Sequence, residues 1–321
     1  MKKTPVLSDI EGVVVNRFNP PDLSYPYCNV SNPSILYDRG LFYINLRATN
    51  YFLEGTPTKC TPYNADNKDQ TFHTQNWIGV TKKPMDGDID WLPVVELPRK
   101  YHSDKIGLED ARLVKWNKQF YLSGTRRDFN DGCMGRIVLT AIDKDPNGKC
   151  WKEKSFNILQ GTCNDINFCE KNHQPVLDKP LCWCASTEPT FVYKANLDTN
   201  NISSVKGKTM LAGCQMMGCL RGSSQLVPYR NFYFALVHHS EIDNKGQHHY
   251  YHHLAIYDST FCLIKVSDPF KIEGAIIEFS CGMCIVPGQN EWEDVAYITY
   301  SVMDSLPSIM VIPVPMLLNA V

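Results

Sequence analysis

Charge of one sign, long apolar runs and helical periodicity are all scarce in this 321-residue chain, and each scarcity excludes a class of function. Lysine plus arginine (32) nearly balance aspartate plus glutamate (34), so there is no broad positive field of the kind a phosphate backbone needs, and nucleic acid is not an expected partner. No apolar run is long enough for a membrane span or a signal peptide. The chain is therefore expected to stay in the compartment where it is made and to be cytoplasmic. There is no Gly-rich phosphate loop, no Gly-x-Ser-x-Gly elbow and no His-Glu-x-x-His pair, which removes several common enzyme classes. Cysteine is plentiful at 13, but the count is odd, and Cys182 and Cys184 sit inside the apolar run Leu181-Cys-Trp-Cys-Ala185. Free buried thiols in a reducing compartment explain this better than a disulfide framework. Asn29-Val-Ser31 and Asn201-Ile-Ser203 match the glycosylation pattern, which carries no weight without secretion.

What the chain does have is a strand-and-turn vocabulary. Short runs rich in Tyr, Phe, Val, Ile and Trp are broken by Asn, Asp, Gly and Pro. Five segments share one plan of apolar strand, polar turn and aromatic strand: Ser34–Arg47, Ala111–Gly124, Gln174–Ser186, Ser224–His238, and Met283–Pro287 continuing to Val295–Ser301. Second hairpins lie between them, at Trp77–Val80 with Trp91–Val95, Arg136–Thr140 with Phe156–Leu159, Thr190–Tyr193 with Lys208–Leu211, and Tyr251–Tyr257 with Phe270–Ile272. Two hairpins per unit make a four-stranded blade, and a repeat of roughly 50–80 residues fits blades with unequal loops. The expected fold is all-β, a five-bladed β-propeller forming a single domain over residues 1–321. Ser308–Val314 supplies a third strand to the last blade and the N-terminal Gly12-Val-Val-Val15 the fourth, which removes two exposed edges. A β-sandwich pair also needs many short strands, but the five similar units favour the propeller.

In a propeller the inner strands converge on the axis, so polar residues at their ends can share one pocket. The residues at those ends are Asn32, Arg47, Glu109, Asp110, Arg112, Arg126, Arg127, Glu170, Lys171, Asn172, Arg221, Ser223, His238, His239, Glu278 and Asp304. Carboxylates mixed with arginines, a lysine and histidines suit a polyhydroxylated or phosphorylated small molecule and a proton moved on it. Each has an ordinary rival role. Asp110 can pair with Arg112 or satisfy a turn, Arg47 can be a strand-end charge, and one of His238 and His239 must point away because strand neighbours face opposite sides.

Four histidines crowd into Gln247-His-His-Tyr-Tyr-His-His-Leu254. Strand alternation places His248, Tyr250 and His252 on one face and His249, Tyr251 and His253 on the other. The tract contains no carboxylate, Cys281-Gly-Met-Cys284 has no second Cys-x-x-Cys, and Cys214 and Cys219 are wrongly spaced, so no metal site is expected. Asp86-Gly-Asp-Ile-Asp90 reads as an outer hairpin turn and not as a cation-holding Asp-x-Asp.

Several segments resemble a known family. Asn32-Pro-Ser-Ile35 with Phe42–Arg47, Gly107-Leu-Glu-Asp-Ala-Arg-Leu113, and Gly282 with Tyr300-Ser-Val-Met-Asp304 resemble motifs of glycoside hydrolase family 130, the mannoside phosphorylases and hydrolases, and of its glycosyltransferase-like relatives. Glu170-Lys-Asn-His-Gln-Pro175, Arg221–Leu226, Tyr250–Leu254 and Ile277–Met283 are similar to the transferase-like branch. The resemblance implies a five-bladed propeller acting on sugars with inversion and without a metal or other cofactor. It carries the general acid onto Asp110 and sugar-ring binding onto Asn32, Arg47 and Asp304. It carries phosphate binding onto Arg127, Lys171 and either His238 or His239. Ala111 replaces the usual Pro, His173 occupies a position often aromatic or apolar in the transferase-like branch, and of the Leu-Phe-Pro run only Pro175 remains, which weighs against free phosphate as co-substrate.

The expected function is an inverting glycosyltransferase that moves a mannose-like residue from a nucleotide-sugar or sugar-phosphate donor to a glycan acceptor, with Asp110 as acid or base. Such transfer needs only one protein carboxylate, whereas inverting hydrolysis needs two. The alternatives are a β-mannoside phosphorylase or hydrolase, and a propeller that binds carbohydrate or protein without chemistry.

Overall fold

The computed structural model describes residues 4–55, 57–62, 71–86, 89–129, 132, 134–159, 168–199, 201–209 and 220–321. Cys214, Cys219 and two positions of the Asp86–Asp90 stretch lie outside them. The described residues are nearly all β, with a single 3-10 turn at Leu7–Asp9 and one short α-helix, Val314–Ala320, after the last strand. None of their helices is long and apolar enough to cross a membrane.

Strands pair antiparallel with their sequence neighbours in runs of four. The first run is Asn29–Asp38, Leu41–Thr49, Phe72–Thr81 and Trp91–Val95; the second is Glu109–Trp116, Gln119–Arg126, Arg136–Lys144 and Trp151–Ile158. The third is Gln174–Pro175, Cys182–Ser186, Thr190–Asn196 and Asn201–Thr209. In the fourth, Arg221–Gly222 and Val227–Tyr229 both border Phe232–Ile242, which leads to His248–Asp258 and Leu263–Val266. The fifth is Glu278–Val286, Val295–Val302 and Leu306–Pro313, completed by the N-terminal Val14–Arg17 in register Val14–Val311 to Arg17–Ser308.

Two details differ from the sequence expectation. The first two runs form one nine-stranded sheet, because Trp151 and Lys152 pair in parallel with Val94 and Val95. The outer strand of the fourth run is Leu263–Val266, and Phe270 forms only a bridge to His252.

Local chemistry explains the hairpins. Arg39 and Gly40 (φ +51° and +82°), and Asn117 and Lys118 (φ +51° and +70°), form two-residue connections. Positive φ at both central residues matches the right-handed twist of the strands they join. Buried apolar residues then pack run against run. Leu36, Ile78, Leu113 and Trp151 join the first to the second; Trp116, Leu139, Trp183 and Tyr193 join the second to the third. Val176, Cys184, Tyr233 and Tyr257 join the third to the fourth, and Phe234, Leu254, Met283 and Ile298 the fourth to the fifth. Ile35, Phe42, Cys284 and Ile309 join the fifth back to the first. Cys182, Cys184, Cys281 and Cys284 are free and buried.

The inner strands meet through polar side chains. Fully buried Gln225, from the fourth run, donates through Nε2 to the carbonyls of Ile35 (3.1 Å) and Leu113 (2.9 Å), and its Oε1 accepts the Met283 amide (3.3 Å). One amide thus ties four runs together. Ser34 Oγ donates to the Ala111 carbonyl (2.8 Å), and Thr299 Oγ1 to that of Pro33 (2.8 Å). Trp116 Nε1 donates to the Val176 carbonyl at 3.0 Å.

Candidate active site

The cavity-facing ends of the inner strands are irregular for a common reason. Pairing slips between Ser31 and Ser34 in the first run, between Ser123 and Thr125 opposite Glu109 and Arg112 in the second, and between Ser280 and Gly282 in the fifth. A bulge of this kind re-aims a side chain that regular alternation would send elsewhere. Asn32 (φ +49°), Asp110 (+48°), Asn172 (+63°) and Asp304 (+48°) all take left-handed backbone, and all four line one cavity. Asn and Asp tolerate that conformation better than other side-chain-bearing residues, so backbone shape and polar function coincide at these positions.

The cavity encloses about 480 Å³, within the roughly 300–1,000 Å³ usual for small-molecule sites. It gathers Asn32, Arg47, Glu109, Asp110, Arg127, Lys171, Asn172, Arg221, His238 and Asp304 from all five runs and their connections. At its centre Asp110 Oδ1 takes two bonds, from Arg47 Nη1 (2.8 Å) and Asn32 Nδ2 (2.8 Å). Asp110 Oδ2 has no protein partner among the described residues and is open to a ligand. Ser301 Oγ donates to Asn32 Oδ1, which fixes the amide so that its nitrogen faces Asp110. Asn29, buried and therefore no glycan acceptor, donates to the Asp304 carbonyl at 2.7 Å.

The two aspartates are tuned in opposite directions. Burial alone raises an Asp110 carboxyl, but Arg47, Arg112, the Asn32 hydrogen bond and Lys171 together outweigh it and hold it below the ordinary range. Burial and the nearby Asp110 charge push Asp304 up to about 6, against the pull of Arg47 and Asn32. Arg127 Nε meets Glu109 Oε2 at 3.3 Å. The side chains of Lys105, Lys171 and Arg221 line the cavity with no carboxylate partner among the described residues. With Arg47 and Arg127 they make five cations against the three carboxylates of Glu109, Asp110 and Asp304, a surplus that suits an anionic ligand. Burial, with His252 and the Arg221, Arg112 and Lys171 charges nearby, keeps His238 well below its usual range, so its ring is neutral. It stacks on Tyr250 at 5.5 Å.

Six residues expected at the site do not line the cavity: Arg112, Arg126, Glu170, Ser223, His239 and Glu278, of which Glu170 is buried. Arg112 is buried behind it and donates to the carbonyls of Asp110 (2.7 Å), Ser223 (2.9 Å) and Gly222 (3.4 Å), which braces the second run against the fourth. Ser223 lies behind His238, its Oγ at 2.8 Å from His238 Nδ1. His239 faces the other side of its strand, where it meets His253 Nε2 at 2.9 Å and stacks on Tyr251. Glu278 turns outward and accepts the amides of Ile272 (2.7 Å), Glu273 (2.7 Å) and Ala275 (2.9 Å). Arg126 is also buried away from the cavity, paired with Asp128, whose Oδ2 accepts the Gly107 amide at 2.8 Å and so anchors the loop that carries Glu109 and Asp110.

The histidine tract alternates as expected. His248 and Tyr250 face the cavity, His252 on the same face is buried deeper, and His249 turns to Asp243 (3.1 Å). The sequence reading missed Lys105, Tyr51, Thr74 and Phe279 in the cavity wall. Of these only Lys105, two positions before Gly107, had a usable signal.

Fold and topology define the class: the chain has a fold similar to that of mannoside phosphorylases and mannosyltransferases. The chain is similar in structure to the β-1,2-mannobiose phosphorylase of Listeria innocua, with TM-score 0.58 and 11% identity over 95% of this chain and 98% of that one. It is similar also to MPT-1, a GDP-Man-dependent mannosyltransferase from Leishmania mexicana, with TM-score 0.51 and 14% identity over 95% and 91% of the two chains. RS223-β-xylosidase aligns with TM-score 0.54 and 15% identity over 88% of this chain and 91% of that one. No family model matches the sequence, and no curated protein matches it. The resemblance to family 130 therefore holds in the fold.

Proposed function

We propose that residues 1–321 form one five-bladed propeller that acts as an inverting glycosyltransferase, moving a mannose-like residue from a phosphorylated donor to a glycan acceptor. The observation that carries this reading is Asp110: one carboxylate oxygen is pinned by Arg47 and Asn32, and the side chain lines a cavity with Lys105, Lys171 and Arg221, which have no carboxylate partner among the described residues. The five interfaces between successive runs, the last returning to the first, support the propeller.

In the transfer direction Asp110 Oδ2 accepts the proton of the acceptor hydroxyl as that oxygen bonds to the anomeric carbon. The bond from that carbon to the donor phosphate oxygen breaks, and the departing electron pair stays on the phosphate. Lys171, Arg221 and Arg127 hold the charge that develops there, and neutral His238 adds a hydrogen bond. Asn32, Arg47 and Asp304 bind the hydroxyls of the transferred sugar. The depressed Asp110 carboxyl favours the base role at neutral pH, since an acid would need to carry its proton there. The donor is a nucleotide sugar or a sugar phosphate, and no cofactor takes part in this scheme.

The unpaired cations also suit free phosphate, and for that reason phosphorolysis of β-mannosides is the second reading. Three incubations separate the readings: manno-oligosaccharides alone, the same with inorganic phosphate, and donor sugars with an acceptor. Transfer from a donor supports the first reading, and release only with phosphate supports the second. Undiminished turnover in Asp110→Asn removes Asp110 from either mechanism.

A further inference from the structure

One wall of the cavity belongs to no charged cluster. The hairpin Tyr51–Glu54 with Lys59–Pro62 leaves the first run and reaches the turn between Phe232–Ile242 and His248–Asp258 of the fourth. There Gln247, buried although it lies in a turn, accepts on Oε1 both the Thr58 amide (3.1 Å) and Thr58 Oγ1 (2.8 Å), and its Nε2 donates to the His248 carbonyl (3.1 Å). Beside this tie Gly246 (φ +77°) neighbours Pro57, whose ring a first side-chain carbon would meet at ordinary contact distance, 3.8 Å. Leu53, Thr58 and Cys60 line the cavity on the hairpin side, and Ser240, Gln247 and His248 on the other. None of the six is Asp, Glu, Lys or Arg, whereas the cations and carboxylates come from the remaining walls.

We infer that this tethered hairpin is the length-setting wall for a short, uncharged saccharide, with the Thr58–Gln247 tie keeping the cavity closed beyond about two sugar units. The inference rests on the glycosyl-transfer reading for the chemistry but on geometry for the wall. Hydroxyls, an amide, an imidazole and an apolar surface suit sugar hydroxyls and ring faces, and none of them carries the fixed charge of a lysine or arginine. At the packing density of a filled site, about 0.74, the cavity of about 480 Å³ holds on the order of two hexose rings. A chain that continues past them toward this wall must displace the hairpin and break two hydrogen bonds to a buried acceptor.

The test is a series of manno-oligosaccharides of two to five units, offered to the parent protein, to Thr58→Val and to Gln247→Ala. Binding is measured by calorimetric titration and turnover by product release. The parent is expected to favour the shortest members over the longest by about tenfold or more, and both variants to reduce that preference by about threefold or more. Thr58 is partly exposed, so its variant reports on the tie even where Gln247→Ala folds poorly. A parent indifferent to chain length, or variants whose preference equals the parent's, overturns the length-setting wall while leaving transfer in place. Binding with the expected preference but without turnover supports the wall and sinks the proposed chemistry. Failure of the parent to bind any member overturns both.

Discussion

Asp304→Asn is expected to stabilise the ligand-free protein at neutral pH while destroying its affinity for sugar. Its carboxyl lies at about 6 against an ordinary 3.8, with burial and Asp110 as the main causes. A carboxyl whose folded pKa is raised contributes stability below the unfolded value and loses it as pH rises through the folded value, here between about 4 and 6. The full shift corresponds to about 3 kcal/mol at about 1.4 kcal/mol per unit, and water in the cavity screens this to about 1–2 kcal/mol. For a chain of this length that is a rise in Tm of about 2–3 °C. The gain should be present in full at pH 7.5 and shrink to a small fraction near pH 4, where the folded carboxyl is protonated and the unfolded one is about half so. Asp110→Asn should show the opposite sign at pH 7.5, since a group held low by Arg47 contributes stability above its unfolded pKa and loses it as pH falls. It leaves the buried Arg47 with a weaker partner, at a loss of about 1–2 kcal/mol, with the fold retained and turnover abolished. The assay is thermal unfolding of the parent and both variants across pH 4–8. An equal gain in Asp304→Asn at both ends of the range, or a loss at pH 7.5, would refute the electrostatic account of the site.

Three other outcomes follow from the geometry. Lys171→Ala and Arg221→Ala should each weaken thermal stabilisation by inorganic phosphate, lowering affinity about tenfold, an effect that shrinks as salt is added. Gln225→Leu leaves the Ile35 and Leu113 carbonyls and the Met283 amide short of a partner and should cost about 2–4 kcal/mol in denaturant unfolding, without altering the pH dependence of the surviving activity. Gly107→Ala meets both a φ of +106° and the Thr74 carbonyl at 2.2 Å, so it should displace Glu109 and Asp110 and reduce kcat far more than a Gly40→Ala change, which has open space around it.

Much of the strand order was legible because it is local. Alternating aromatic and β-branched residues between Gly, Asn and Asp turns mark each hairpin, and Gly12–Val15 was readable as the missing partner for Ser308–Val314, a pairing the structure makes through Val14–Arg17. The outer strand of the fourth run was misplaced because Phe270-Lys-Ile272 has strand-like residues but is drawn into the core, with Phe270 buried against His252. The candidate site was legible only in part. Proximity to a strand end selected Asn32, Arg47, Asp110, Lys171, Arg221 and Asp304, yet the same rule also chose Arg112, Ser223, His239 and Glu278, whose side chains turn away. For His239 strand alternation had already left one of the two histidines outside. For Glu278 nothing local announced that three backbone amides would capture it.

By itself the sequence determined the all-β character, the repeat of paired hairpins and the residue types able to hold a left-handed backbone at Asn32, Asp110, Asn172 and Asp304. These are matters of neighbouring residues, where propensity and side-chain period act within a few positions. Which carboxylate is held ionised, which cations stay unpaired and where the cavity ends were decided only when distant segments met. Coulomb energies and burial depend on distances of a few ångströms between groups tens or hundreds of positions apart, such as Arg47 with Asp110 and Thr58 with Gln247, and no linear pattern encodes those distances.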